Sequence, residues 1–348
     1  MKRREFLEVV GFAAAAGAVV KAASAQEPKI IMEEMRVPAS DPGIEIFVRN
    51  KRPADMTVFR PERTMLFVHG ATYPASTAFD LKLDGMSWME YIVTRGYDVY
   101  LLDLRGYGRS TRPKEMAERP EANPPIVRGD TAIKDVRTVV DFILKRRNIP
   151  RLNLLGWSWG TVLMATYTTA HSENVERLVL YAPVWIRQTP SLVQAGPGPL
   201  GAYRTVRRET AKQRWYTGVP DDKKAGLIPS GWFDQWADAT WATDPEGAKQ
   251  NPPVIRAPNG VLADGNDFWS AGKAYYDPAK ITVPTLLVDA EWDHDAPPYM
   301  AQTLFPLLVN SPNKRYVELP EGTHTIMMEK NRLKLFDAVQ AFLDAPGS

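Results

Sequence analysis

The segment Gly156-Trp157-Ser158-Trp159-Gly160 lies between an apolar run at residues 151–155 and an apolar-periodic stretch at residues 161–170. This order predicts a strand, a tight turn and a helix, with Ser158 at the apex of the turn. Such a turn strains the backbone of its central residue and lifts the side chain clear of the sheet, while the flanking glycines leave room for neighbouring chain. A serine with a purely structural role needs no such turn, so Ser158 is a candidate nucleophile.

Apolar runs elsewhere in the chain alternate with helical patterns. A helix is predicted over residues 130–147, where five apolar residues share one face before Pro150 ends the pattern. Alternation of buried strands with amphipathic helices predicts an α/β fold with a mostly parallel central sheet flanked by helices. The predicted strands lie near residues 44–48, 65–68, 99–102, 152–155, 178–181, 285–288 and 315–319.

The alternation stops between Pro183 and about Lys280. This segment contains many prolines, no convincing strand and six of the ten tryptophans. We interpret residues 184–280 as a mainly helical cap, inserted over the sheet edge where open α/β sheets place their ligands. An independent second domain is the alternative, but the strand pattern resumes at Thr285, which favours an insertion. The predicted core therefore consists of residues 26–183 and 281–348.

The first 25 residues have the features of an export signal. Arg3 and Arg4 precede a short apolar run at residues 9–20, and Ala23-Ser24-Ala25 supplies a small-residue cleavage site. This resembles a twin-arginine signal, which implies a periplasmic or secreted protein. The run is shorter than the roughly 20 residues that span a bilayer. We expect no stable membrane insertion after cleavage; an anchoring amphipathic helix is the alternative.

Charge and composition exclude several classes of function. The chain has 43 basic and 41 acidic side chains, and cleavage after Ala25 leaves 39 of each, which gives no support to nucleic-acid binding. Because there are no cysteines, disulfides, thiol nucleophiles and cysteine-bound metals are excluded. Neither a glycine-rich phosphate loop nor an H-E-x-x-H pattern occurs, so we expect no nucleotide, metal or other cofactor.

Three further motifs follow predicted strands: Val68-His69-Gly70-Ala71, Asp289-Ala-Glu-Trp-Asp293 and Glu321-Gly-Thr-His324. With Ser158 they resemble the α/β-hydrolase superfamily, whose nucleophile, acid and histidine follow one another in this order. The resemblance spans nearly the entire mature sequence and implies the α/β-hydrolase fold. The segment Asp103-Leu-Arg-Gly-Tyr-Gly-Arg-Ser110 is also similar to one common in capped members, including prolyl iminopeptidases and lysophospholipase-like esterases.

A serine hydroxyl ionises too weakly to attack at neutral pH unless a base lies beside it. His324 is the candidate base, because His69, His171 and His294 have simpler explanations in a strand-end turn, a helix end and a position next to an acid. A buried carboxylate must hold the imidazole in the correct tautomer.

Four acidic residues share the loop from which that carboxylate comes, and any of them has the reach to approach His324: Asp289, Glu291, Asp293 and Asp295. The resemblance favours Asp293 by its position past the strand, with Asp289 and Asp295 as the main alternatives. It also implies that backbone N–H groups of Trp159 and Ala71 form an oxyanion hole, with Thr72 as the alternative to Ala71.

The resemblance implies a serine hydrolase that cleaves a small-molecule carboxylic ester through an acyl-enzyme. Serine at position 158 disfavours the dehalogenase and epoxide hydrolase branches, which use aspartate there. A prolyl-iminopeptidase-like aminopeptidase or amidase is the alternative, although those peptidases carry H-G-G-P-G where this chain has His69-Gly-Ala-Thr-Tyr73. A non-catalytic receptor on the same scaffold is a further alternative.

Aromatic residues near the nucleophile suggest the character of the substrate. Trp157, Trp159 and Tyr73 are candidate contacts for a bulky apolar or aromatic group. Arg204, Arg208 and Lys212 recur at helical spacing in a predicted cap helix. A solvated helix face is the simpler interpretation of this stripe, and attraction of an anionic substrate is the alternative.

Overall fold

The computed structural model describes residues 29–195 and 198–346. The predicted export signal at residues 1–25 lies outside these residues. Within the described part of the chain, no helix is long and apolar enough to cross a membrane. The same residues contain no group of three or more His, Cys, Asp or Glu side chains arranged to hold a metal ion.

Eight strands form one central sheet: β1 (Ile30–Pro38), β2 (Glu45–Pro53), β3 (Thr64–Val68), β4 (Asp98–Asp103), β5 (Leu152–Trp157), β6 (Val175–Tyr181), β9 (Thr285–Ala290) and β10 (Arg315–Leu319). Their order across the sheet is β1-β2-β4-β3-β5-β6-β9-β10. The first two are antiparallel to each other, β2 is antiparallel to β4, and every other neighbouring pair is parallel. The predicted α/β class and mostly parallel sheet are thus confirmed.

The central strands are apolar because both faces of the sheet are covered. Every residue of β3, β4 and β5 is buried, as expected for parallel strands between helical layers. Long helices α3 (Gly129–Arg147) and α4 (Trp159–Ala170) pack against each other, and α2 (Trp88–Val93) packs against α11 (Arg332–Leu343). The short helices α1 (Ala75–Ala78) and α10 (Tyr299–Leu304) complete the core.

Strand β1 was not predicted from the sequence, and its position explains why. It pairs only with β2 at the edge of the sheet, and only one of its nine residues is fully buried. The sequence of β1 contains charged residues at Glu33, Glu34 and Arg36, so it lacks the apolar run that marks a covered strand.

The segment between β6 and β9 leaves the sheet and returns to it, because these two strands are neighbours. The expectation that this segment contains no strand is wrong. Strands β7 (Tyr203–Arg207) and β8 (Val254–Pro258) form a separate antiparallel pair, whose partners lie about fifty residues apart in sequence, so no local turn signal marks them. The remaining elements are α5 (Arg208–Trp215), α6 (Asp221–Lys224), α7 (Trp232–Trp241), α8 (Pro245–Ala248) and α9 (Gly260–Asp267).

Candidate active site

Ser158 lies at the sharp turn between β5 and α4. Its backbone has φ 57° and ψ −124°, a strained conformation for a residue with a side chain. Both positions beside the Trp-Ser-Trp segment require glycine, because backbone carbonyl oxygens lie too close to leave room for a Cβ. A Cβ at position 156 would lie 2.2 Å from the carbonyl oxygen of Gly160, and one at position 160 would lie 2.6 Å from the carbonyl oxygens of Val68 and His69. The turn therefore depends on the glycines of the motif as the sequence predicted.

His324 and Asp293 are in direct contact. The Nδ1 atom of His324 lies 2.7 Å from Oδ2 of Asp293, and the other carboxylate oxygen accepts the N–H groups of Asp295 and Ala296 at 2.8 Å each. Because an ionised carboxylate only accepts hydrogen bonds, Nδ1 carries the proton. Nε2 of the neutral ring is then left as the basic nitrogen, and both His324 and Ser158 line one cavity.

The loop that carries His324 is fixed from two sides. The backbone carbonyl oxygen of His324 accepts hydrogen bonds from Nε1 of Trp157 at 3.1 Å and from the hydroxyl of Tyr181 at 2.7 Å. On either side of the histidine, the hydroxyls of Thr323 and Thr325 donate to the carboxyl group of Glu329, which is fully buried. Burial raises the pKa of Glu329 to about 7. This contact was not predicted from the sequence.

The other acidic residues of the predicted loop have different partners. Asp295 forms a fork with Arg214, whose Nε lies 2.9 Å from both carboxylate oxygens and whose Nη2 lies 2.6 Å from one of them. Glu291 is exposed and accepts the backbone N–H of Glu321. Asp289 is fully buried and contacts the hydroxyl of Tyr316 at 3.2–3.3 Å. Asp293 alone of the four contacts His324 within the described residues.

Asp289 is expected to make stability depend on pH. Burial, with the nearby Asp293 and Glu318 charges, raises the pKa of Asp289 to about 8, far above its value in an unfolded chain. Between these pKa values the unfolded chain loses the proton and the folded chain keeps it. The free energy of unfolding therefore falls as the pH rises to about 8, by up to about 1.4 kcal/mol per pH unit. Asp289→Asn should flatten this fall, as measured by urea unfolding at pH 5 and 8.

Asp234→Asn, at a carboxylate on the surface, is the matched control and should leave the pH dependence unchanged. Parallel profiles of Asp289→Asn and the wild type would contradict the assignment.

Two cavities meet at Ser158. The first is lined by Tyr73, Trp157, Trp215, His324 and Thr325. The second is lined by Trp159, Arg187 and Trp269 among others. Ala71, Ser158, Arg214 and Asp295 line both. Of the predicted substrate contacts, Tyr73 and Trp157 thus lie in the first cavity and Trp159 in the second.

The turn after β3 packs directly on the serine. A Cβ at Gly70 would lie 2.9 Å from Cβ and 3.4 Å from Oγ of Ser158. Nε2 of His69 accepts the N–H of Leu104 at 3.0 Å, so its Nδ1 carries the proton and donates to the carbonyl oxygen of Gly70 at 2.8 Å. In a trans peptide the N–H points opposite to the C=O, so the N–H of Ala71 points away from the His69 ring.

The backbone N–H of Trp159 has no partner within its own helix, because Trp159 is the first residue of α4. Ala71 and Trp159, the two predicted oxyanion donors, both line the second cavity beside Ser158. Thr72 also lines the first cavity.

Arg204 differs from its predicted place on a cap helix. It lies in β7, is 3% exposed, and its guanidinium donates to the carbonyl oxygens of Ala71 at 2.7 Å and Pro258 at 2.8 Å and to the hydroxyl of Thr72 at 2.9 Å. The predicted stripe with Arg208 and Lys212 does not exist, because α5 begins only at Arg208. Burial lowers the pKa of Arg204 to about 10, so the side chain stays charged at neutral pH.

Arg204 is expected to position the turn that carries Ala71. Arg204→Met keeps the length of the side chain but removes its donors, leaving the hydroxyl of Tyr107 as the other side-chain donor to the Ala71 carbonyl. Misplacement of a reacting group by about 1 Å costs roughly 100-fold in rate, so we expect kcat to fall by about 10- to 100-fold with KM little changed. Steady-state kinetics on one ester measure this split.

Arg208→Met is the matched control, because Arg208 contacts only acidic and backbone groups of α7. Equal losses in the two variants, or a change confined to KM, would rule out this role for Arg204.

The sequence of the chain matches a known family. Residues 63–331 match the alpha/beta hydrolase fold family, and the chain belongs to that family. It is similar to a putative non-heme chloroperoxidase of Synechocystis sp., with 24% identity over 274 residues that make up 74% of this chain and 86% of that protein.

Solved structures of several hydrolases share the fold. A 2-hydroxy-6-oxo-6-phenylhexa-2,4-dienoate hydrolase from Rhodococcus sp. superposes with a TM-score of 0.60 at 13% identity, covering 90% of this chain and 99% of the other. An enol-lactonase from Burkholderia xenovorans gives 0.55 at 15% identity, covering 89% and 100%. At such identities the likeness shows the fold alone.

Proposed function

We propose that this protein is a serine hydrolase that cleaves carboxylic esters through an acyl-enzyme. The observation that carries the proposal is the placement of Ser158, at a strained turn, in one cavity with a histidine whose Nδ1 is bound by the carboxylate of Asp293. A base oriented in this way leaves Nε2 to take the proton of a serine hydroxyl.

The proposed reaction has two halves. Oγ of Ser158 attacks the ester carbonyl while His324 takes its proton, and the N–H groups of Ala71 and Trp159 bind the oxygen on which charge develops. His324 then protonates the leaving alcohol, and a water activated by the same histidine hydrolyses the acyl-enzyme. Asp293 stabilises the imidazolium that forms at each step.

The proposed substrate has a bulky apolar or aromatic alcohol. The leaving group must lie on the side of the histidine that protonates it, and the cavity on that side has Tyr73, Trp157 and Trp215 in its wall. Aromatic walls favour apolar and aromatic groups by burial and by ring contacts. Trp236 and Trp241 pack instead on Tyr73 and on each other, so they support the wall from behind.

An aminopeptidase is less well supported. Such an enzyme must hold the free ammonium group of an N-terminal residue, which calls for carboxylates beside the nucleophile. Here Arg187 and Arg214 outnumber Asp295 on the cavity walls, so the local charge opposes a cation.

We propose that the mature enzyme begins after Ala25 and acts in the periplasm or outside the cell, on the strength of the twin-arginine pattern.

The test compares hydrolysis of benzyl acetate, ethyl acetate and proline 4-nitroanilide by the purified protein. We expect ester turnover, faster for the benzyl ester, with one molecule of a fluorophosphonate probe bound per chain on the peptide that contains Ser158. Faster ethyl ester turnover would remove the aromatic preference, and preference for the anilide would favour the aminopeptidase. A folded protein with no turnover and no labelling would favour a receptor.

A further inference from the structure

The second cavity beside Ser158 carries a surplus of positive charge. Its charged wall residues are Arg187, Arg214 and Asp295, which are two cations and one anion. Valine and leucine side chains and two tryptophans make up much of the remaining wall, so the charge faces a space of low polarity. A charge in such surroundings interacts more strongly with a ligand than it would in water.

The single carboxylate in this wall is already neutralised. Arg214 binds both oxygens of Asp295 in a fork, and 8% of the Asp295 side chain is exposed. Although burial by itself raises the pKa of the Asp295 carboxyl, the Arg214 guanidinium outweighs it and holds that pKa below its usual value. Asp295 is therefore ionised at neutral pH, and the pair has no net charge.

Arg187 supplies the surplus positive charge of the second cavity. Its Nη2 donates to the backbone carbonyl of Asp295, which carries no full charge. Within the described residues, its buried Nε has no hydrogen-bond partner, and its Nη1 donates only to the carbonyl of Pro190, at 3.5 Å. The backbone N–H of Arg187 is held by the carbonyl oxygen of Trp269 at 2.8 Å. Arg187 is therefore a cation in the wall of the nucleophile's cavity, and its donors are incompletely satisfied within the part of the chain that the structure describes.

We propose that Arg187 binds a carboxylate on the acyl part of the substrate, so that the preferred substrates are half-esters of dicarboxylic acids. This inference rests on the proposed serine hydrolase function. The cavity with His324 takes the leaving alcohol, which assigns the acyl part to the cavity lined by Ala71, Trp159 and Arg187. Unused guanidinium donors match a carboxylate better than any neutral group.

Hydrolysis of such a half-ester needs no reactant other than water. Oγ of Ser158 bonds to the acyl carbon, the bond from that carbon to the alcohol oxygen breaks, and the alcohol leaves with the proton that His324 took from the serine. Water then releases the acyl group as a dicarboxylate and restores the serine hydroxyl.

The experiment uses benzyl hydrogen glutarate and its neutral match, benzyl methyl glutarate, with release of benzyl alcohol as the readout. Succinate and adipate half-esters, each with its methyl diester, test the distance between carboxylate and carbonyl. A charge-assisted hydrogen bond favours the acidic ester by roughly 10- to 100-fold in kcat/KM. Arg187→Met should remove this preference, because it raises KM for the acidic ester far more than it changes KM for the neutral ester.

Arg207→Met is the matched control, because it removes one positive charge from an exposed position on β7. It should keep the preference, and Arg187→Lys should keep part of it. A wild-type preference for the neutral diester at every chain length would overturn the proposal, as would equal loss of both activities in a folded Arg187→Met protein.

Measuring the binding of glutarate distinguishes a failure of the carboxylate site from a failure of the proposed esterase function. Glutarate should bind the wild type and Ser158→Ala in calorimetry and should bind Arg187→Met at least tenfold more weakly. If benzyl methyl glutarate is hydrolysed but glutarate does not bind, the carboxylate site is wrong and the esterase stands. If glutarate binds as expected but no ester is cleaved, the site stands and the esterase is wrong.

Discussion

Ser158→Ala is expected to abolish ester hydrolysis, with kcat lower by on the order of 10⁶-fold. Loss of the nucleophile in a serine hydrolase removes the acyl-enzyme route as a whole, and the residual rate comes from binding and the oxyanion donors alone. The alanine side chain fits the strained turn as serine does, because both carry a Cβ and the surrounding glycines provide the space. Steady-state kinetics with benzyl acetate measure the loss, and the Kd of a bound product should stay nearly constant.

Ser191→Ala is the matched control, since Ser191 also lines the second cavity. It should retain kcat within a fewfold of the wild type. If Ser158→Ala keeps more than a few per cent of the wild-type rate, the chain uses another nucleophile or the rate comes from a contaminant. Labelling with the fluorophosphonate probe distinguishes these two results.

The sequence predicted the parts of the fold and site that local patterns encode. The run at residues 152–155 became the covered strand β5, and the glycines around Ser158 proved necessary because a Cβ at either position would lie within 3 Å of a carbonyl oxygen. The helix predicted at residues 130–147 begins one residue earlier, at Gly129, and ends at Arg147, where Asn148 adopts the left-handed conformation. Each of these features depends on residues close together in the chain.

Features that depend on distant residues could not be predicted in this way. Arg204 has helical spacing to Arg208, yet it lies in a strand that pairs with residues about fifty positions later. The residues to which its guanidinium donates, Ala71 and Thr72, lie more than 130 residues earlier. The role of Glu329 likewise depends on its contacts with the hydroxyls of Thr323 and Thr325, on either side of His324.

The inserted segment and the core depend on each other at the site. Arg204 and Arg214 belong to the inserted segment, whereas the Ala71 carbonyl and the Asp295 carboxylate that they bind belong to core loops. Specificity and rate are therefore both expected to respond to mutations in the inserted segment. The Arg204 variants test the effect on rate, and the Arg187 variants test the effect on specificity.

Asp293→Asn is expected to lower kcat by about 10⁴-fold while the fold is retained. The two backbone N–H groups of Asp295 and Ala296 require an acceptor at the position of Oδ1. The amide oxygen of asparagine must take that position, so its NH₂ group replaces the oxygen that faces His324. An N–H donor opposite Nδ1 forces the ring proton onto Nε2. The imidazole then has no lone pair toward Ser158 and cannot take its proton.

Matched variants at the neighbouring carboxylates make this prediction specific. Asp289→Asn should keep kcat near the wild-type value at pH 7, because Asp289 contacts Tyr316 and not His324. Asp295→Asn breaks the fork with Arg214 and should change KM for acidic esters more than kcat for neutral ones. A loss of only a few-fold in Asp293→Asn, or an equal loss in Asp289→Asn, would mean that a different carboxylate orients His324. The 2.7 Å contact between Nδ1 and Oδ2 predicts the opposite order.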